Sequence, residues 1–157
     1  MSDIDEPLLD IDGLEAGYET GQVLFGIDLS VAGGELVSLL GRNGAGKTTT
    51  LRAIVGADVP RVLGGSIRFA GETLLGRPAY KIAERGVSFV PEDRRCFPRL
   101  TVVENIRVAI NHAADPMPLD EVLGLFPELD EMRGKEARNM SGGEQQMLAI
   151  GRALVSA

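Results

Sequence analysis

The chain has 157 residues, 44% of them apolar, enough to build a core the size of one domain. Its formal net charge of −7, with no basic stripe to offset it, argues against a nucleic-acid groove. The single cysteine, Cys96, excludes an intramolecular disulfide and suits a reducing cytosol. No apolar run approaches the ~20 residues of a membrane span, and nothing reads as a signal peptide.

Five acids in the first twelve residues (Asp3, Asp5, Glu6, Asp10, Asp12) predict a solvated arm over 1–12. Tyr18, between Gly17 and Gly21, reads as a turn tyrosine. Ile27, Leu29 and Val31 alternate with Asp28 and Ser30, which predicts a half-buried strand over 23–31. The apolar run 35–40 predicts a buried strand leading into residues 41–48, GRNGAGKT. That octet matches the phosphate-binding pattern G-x-x-x-x-G-K-[ST] in full.

Each fixed position of the octet has a task. Gly41, Gly44 and Gly46 permit a tight turn and let backbone N–H groups approach phosphate oxygens. Lys47 is a compact cation for the β- and γ-phosphates, and the Thr48 hydroxyl is a suitable Mg²⁺ ligand. A helix over 48–55 sets the loop at a helix N-terminus, which favours anions. Nucleotide contacts are expected from Gly41, Asn43, Gly44, Ala45, Gly46, Lys47, Thr48 and Thr49.

Residues 66–70 with Gly71 predict a strand and turn, and 78–85 a helix opened by Pro78 and closed by Gly86. Residues 87–90 predict a buried strand, and Thr101 and Glu104 form the capping pattern of a helix carrying Ile106, Val108 and Ile110. Pro116, Pro118 and Pro127 cut the next stretch into short pieces. Residues 140–146 then read MSGGEQQ, where Ser141 and Glu144 form a second capping box before an apolar face of Met147, Ile150 and Leu154. Two glycines inside a first turn cost about 1 kcal/mol each against alanine. From the residues alone this is either an ordinary helix start or a second phosphate-binding surface.

The segment 141–145, SGGEQ, resembles the signature motif of the ATP-binding cassette family, usually Leu-Ser-Gly-Gly-Gln, and stands with the phosphate loop in that family's order. The resemblance implies an α/β P-loop NTPase fold: a partly parallel, RecA-like sheet with a β subdomain and a helical subdomain. It implies a nucleotide-binding core over 13–91, a helical subdomain over 92–140 and a signature helix over 141–157, together one partial domain over 13–157. Tyr18 resembles the aromatic residue that stacks on adenine. Ser141, Gly142, Gly143 and Glu144 would contact, in trans, the γ-phosphate held by a second cassette.

Glu92 stands where most cassettes have a glutamine that touches Mg²⁺ and the attacking water. The run 91–97, PEDRRCF, resembles the cassettes of branched-chain amino-acid importers. The resemblance therefore implies an ATPase subunit using ATP and Mg²⁺, with Lys47 and Glu92 in catalytic roles and Thr48 and Glu92 in the metal shell. Implied partners are a second cassette, transmembrane permease subunits and, indirectly, a substrate-binding protein, with no nucleic acid. Its implied place is cytoplasmic, on the inner face of the membrane. Cassettes for urea or amide uptake, for lipopolysaccharide export and for soluble non-transport tasks share most of these motifs. A GTPase is disfavoured because no N-K-x-D follows the loop. Residue 157 falls just before the family's aspartate–glutamate strand and switch histidine. The chain is thus expected to be C-terminally incomplete, inactive alone and poorly behaved in solution.

Overall fold

The computed structural model describes residues 6–113 and 115–155, which form two compact units, 1–82 and 83–157. In the first, β1 (Leu9–Tyr18) and β2 (Gly21–Val31) form a hairpin through Glu19 and Thr20, with Tyr18 opposite Gly21. β3 (Arg61–Phe69) pairs with the other edge of β1, and β4 (Glu72–Thr73) with β3. The sheet order is β2-β1-β3-β4, and every neighbour is antiparallel. Ile11, Leu14, Ala16, Leu24 and Ile67 are buried; alternation relates Leu14 to Ala16, and an irregularity in the ladder between Ile11 and Leu14 keeps both inward. α1 (Lys47–Ile54) adds Ala53 and Ile54 to the buried set, and the short α2 (Ala79–Ala83) adds Ile82.

Three expectations change here. The acidic arm does not reach residue 12, because Asp10 and Asp12 lie within β1, where Asp10 accepts from Arg68 at 3.2 Å directly across the ladder. Cross-strand pairing places these acids on the outer face while Ile11 turns inward. Residues 1–5, with Asp3 and Asp5, lie outside the described residues. The segments 35–40 and 87–90 carry no regular secondary structure and no strand ladder, and Leu36 and Leu40 are 93% and 92% exposed. A strand exists only where a neighbour takes its N–H and C=O groups, and among the described residues none pairs with either segment. The parallel part of the expected sheet is accordingly not formed among these residues.

The second unit is helical: α3 (Val102–Ile110), α4 (Leu119–Leu125), α5 (Pro127–Glu131), a 3-10 turn (Ala137–Asn139) and α6 (Gly142–Leu154). One core joins them, with Val102, Ile106, Val122, Leu123, Leu129, Leu148 and Val155 buried. α6 buries the face predicted for it only in part, with Met147 packed against the core. Ile150 is 37% exposed, and Leu148, Ala149 and Gly151 turn inward instead. A Cβ at Gly151 would stand 3.4 Å from Val122 and 3.6 Å from Leu129, ordinary contact distances, so α4 and α5 pack closely against this face of the helix. Among the described residues, no helix is long and apolar enough to cross a membrane.

Candidate functional site

The loop at residues 41–46 is exposed up to Gly46, which is buried and opens α1. The Ala45 N–H donates to Arg42 O at 3.1 Å and closes the turn. Gly46 has φ 91°, and a Cβ on it would meet Leu24 Cδ2 at 2.6 Å. No side chain bonds to the α1 N-terminus, its first turn holds no acid, and its cap residue is left-handed. Such an end carries roughly half a positive charge. Lys47 adds a full one, turned back into the loop, where its Nζ donates to Gly41 O at 2.8 Å and Arg42 O at 3.0 Å. Thr50 braces the turn from behind, its hydroxyl on Gly46 O at 3.0 Å.

Asn43, Gly44, Ala45 and Thr48 are exposed around this loop, and Thr49 is buried. The Tyr18 hydroxyl lies 3.4 Å from Thr49 Oγ1, so the end of β1 presents its aromatic ring beside the first turn of α1. Tyr18 and the phosphate loop are thus brought together as predicted residues of one site. Chemically this is a bare, cationic concentration of backbone donors with a π-face beside it, suited to a polyphosphate that carries a planar base. Among the described residues no cluster of three or more His, Cys, Asp or Glu side chains could hold a metal unaided.

The signature segment lies in the second unit and is built differently. Ser141 caps α6: its Oγ accepts from Glu144 N–H at 3.3 Å, and its own N–H donates to Glu144 Oε2 at 2.7 Å. Lys135 Nζ donates to the same carboxylate oxygen at 3.0 Å. The Ser141 N–H first, and Lys135 second, hold the Glu144 carboxyl below the usual carboxylate range. Glu144 therefore spends its carboxylate on the cap, while Ser141, Gly142 and Gly143 are exposed around it.

Glu92 is exposed in a turn of the same unit. The loop behind it is fastened to α6. Arg94 and Arg95 adopt left-handed backbone at φ 60° and 47°, costing roughly 1–2 kcal/mol each. The Arg94 guanidinium lies over Gly142, where a Cβ would approach within 3.3 Å. Cys96 Sγ donates to Gln145 O at 3.5 Å, and burial pushes its thiol pKa up against the opposing charges of Arg152 and Arg94. Arg152 donates to Arg95 O at 2.7 Å and sets its guanidinium 4.8 Å from the Phe97 ring centroid. Arg95 itself pairs at the surface with Asp93.

Sequence reasoning missed two residues that hold this arrangement, Arg152 and Asn105. Asn105 is fully buried; its Oδ1 accepts from Phe97 N–H, and its Nδ2 donates to Phe97 O, Leu100 O and Thr101 O. A polar residue on the buried face of α3, one turn after its cap, was the available signal. For Arg152 no local pattern marked a partner almost sixty residues away.

A family profile described as ABC transporter matches residues 24–157. A high-affinity branched-chain amino acid transport ATP-binding protein of Pseudomonas aeruginosa is 44% identical over 152 residues, covering 95% of this chain. A lipopolysaccharide export system ATP-binding protein of Haemophilus influenzae is 34% identical over 155 residues, again 95% of this chain. The chain spans 64% and 63% of these relatives' lengths. A solved ATP-binding cassette of an ABC transporter, in its ADP conformation, superposes with a TM-score of 0.77 at 21% identity. The superposition covers 96% of this chain and 65% of that one, and it establishes the α/β fold.

Proposed function

The chain belongs to the ABC transporter family, and on that premise we propose that it carries the nucleotide-binding part of a transport ATPase subunit. ATP lies with its phosphates on loop 41–48 and its adenine against Tyr18. Lys47 offsets the β- and γ-phosphate charge, and the backbone of Gly44 to Lys47 supplies donors. Gly41, Asn43, Ala45 and Thr49 shape the surrounding wall. The Thr48 hydroxyl would hold Mg²⁺, a hard cation that suits an oxygen ligand, and the ion would supply charge neutralisation on the phosphates. Glu92 serves as a metal-shell or relay residue rather than as the general base. Ser141, Gly142 and Gly143 meet the γ-phosphate held by a second cassette, and Glu144 acts in the same site by fixing the Ser141 cap.

The start of α1 supports this reading most: an uncapped helix N-terminus with Lys47 folded into its loop and Tyr18 beside it. Phosphoryl transfer asks a protein mainly for positioning and charge, and these residues are arranged for both. The working assembly pairs two cassettes with permease subunits at the inner face of the membrane. Its cargo is branched-chain amino acids, a reading supported by the run from Pro91 to Phe97 and by the name of the Pseudomonas relative.

Titration of a fluorescent ATP analogue against wild type and Lys47→Ala tests the nucleotide reading. Losing charge-assisted bonds worth roughly 1.5–3 kcal/mol each should weaken binding by about two orders of magnitude or more. Equal affinities would sink it. Leucine uptake in a strain lacking the gene tests the cargo separately: undiminished uptake removes the branched-chain assignment and leaves nucleotide binding intact.

A further inference from the structure

The loop 94–97 is laid along α6 and touches it near both ends. Arg94 lies over Gly142 in the first turn, Cys96 bonds to Gln145, and Arg152 near the other end holds Arg95 and Phe97. Gly142 and Arg152 are ten residues apart, about 15 Å of helix. Two consecutive left-handed arginines form this loop, a conformation that persists only where its surroundings over-determine it. Arg152 makes the strongest of the attachments, since one planar guanidinium supplies both a short hydrogen bond and a stacked contact with an aromatic ring. From behind, Asn105 bonds to both the N–H and the C=O of Phe97, so the backbone that carries the ring gripped by Arg152 is held in place.

We propose that Arg152 is a positioning residue: it clasps the turn carrying Glu92 to the signature helix, so that Glu92 and residues 141–143 move as one body. This rests on the ATPase reading above. If Glu92 follows the nucleotide through its metal shell, the clasp passes that displacement to the helix start that completes the partner cassette's site. Without it, the loop and α6 keep their own folds but lose their registration.

Cys96 reports on the clasp directly, because its half-buried thiol sits between Arg94, Gln145 and Arg152. Maleimide labelling, followed by peptide mass spectrometry of the Cys96 peptide, should run about tenfold faster in Arg152→Met than in wild type, with unchanged far-UV circular dichroism. Phe97→Leu, at a 42% exposed position where folding is not at risk, should accelerate labelling too. Arg152→Lys, which keeps the cation and loses the fork, should fall between. In a cassette of its relatives' full length, kcat for ATP should drop about tenfold in Arg152→Met with KM within twofold, and Arg152→Lys should recover part of it. Unchanged labelling in both Arg152→Met and Phe97→Leu overturns the proposal. So does faster labelling with unchanged kcat. A wild-type cassette without ATP turnover would defeat the functional reading instead, and the labelling rates, which need no nucleotide, would still decide the clasp.

Discussion

The chain starts two helices on glycine-rich segments, and the two ends are finished in opposite ways. α1 begins at Gly46 with no side-chain cap, no acid in its first turn and a lysine folded into the loop before it. α6 begins at Ser141 with a reciprocal capping box, an acid at its third position and Lys135 drawn onto that acid. A helix end left uncapped forgoes about 1 kcal/mol. At α1 that loss leaves a concentration of positive charge for an outside anion. At α6 the cap is satisfied internally, and the exposed backbone of Gly142 and Gly143 is what is left for a visitor. On the function proposed above, the first end holds a phosphate by itself and the second leans on one already held. The glycines tell the two ends apart, and substituting them is the sharpest way to test the distinction.

The largest effect is expected from Gly46→Val. Its φ of 91° lies outside what a β-branched residue tolerates, and its Cβ would enter the space of Leu24 Cδ2 at 2.6 Å. Leu24 is 1% exposed and cannot swing clear into solvent. Urea unfolding should show a loss of about 2–4 kcal/mol, with nucleotide binding lost alongside. Undiminished stability would mean that the backbone at this turn is freer than its geometry implies.

Gly143→Ala should have the reverse sign. A Cβ there meets nothing within 4 Å, and no left-handed backbone demands glycine. Alanine in the first turn of α6 should therefore stabilise the fold by a few tenths to about 1 kcal/mol, read by thermal or urea unfolding. If the signature segment meets a partner's phosphate as proposed, ATP turnover in a cassette of full family length should nonetheless fall, because the added methyl would stand in that phosphate's approach. A neutral effect on turnover would return Gly143 to an ordinary helix position and would weaken the contrast between the two ends.

These contrasts also explain which parts of the molecule were legible beforehand. Both capping boxes were read correctly at Thr101 and Ser141, because a cap is a bargain between residues three apart. The phosphate loop and the helix behind it were equally local. The hairpin strand over 23–31 was found by alternation and proved slightly longer, starting at Gly21. By contrast, 35–40 and 87–90 were read as strands from their apolar character, and a strand depends on a neighbour that composition does not describe. The rotated face of α6 was missed for a related reason: Gly151 meets Val122 and Leu129 only in the folded chain, and the hydropathy pattern within α6 does not record which neighbours it packs against. Arg152 binds a loop 57 residues back, which no window of neighbouring residues contains, whereas Asn105 bonds to Phe97 only eight residues away and was marked just by its place on the buried face of α3.

The smallest expected effect concerns the charge that finishes α6 and has no counterpart at α1. The Ser141 N–H and Lys135 hold the Glu144 carboxyl below its ordinary range, so the folded chain releases this proton at a lower pH than the unfolded chain does. The unfolded value lies near 4.3. Above it Glu144 is ionised in both states, and its contribution to stability is complete. As pH falls below about 4.3 the unfolded state takes up the proton first, and the contribution drains away until the folded carboxyl has titrated too. Glu144→Gln should therefore be slightly less stable than wild type at pH 7, and the gap should narrow on acidification below about pH 4.3. Glu104 makes the same kind of cap on α3 and is shifted in the same direction by Thr101, so acid weakens both proteins in common. Only the difference between wild type and variant isolates α6. Parallel urea titrations at pH 7, 5, 4 and 3 give that difference directly. A gap that stays constant from pH 7 to pH 3 would mean that the carboxylate's hydrogen-bonding shape, and not its charge, closes the signature helix.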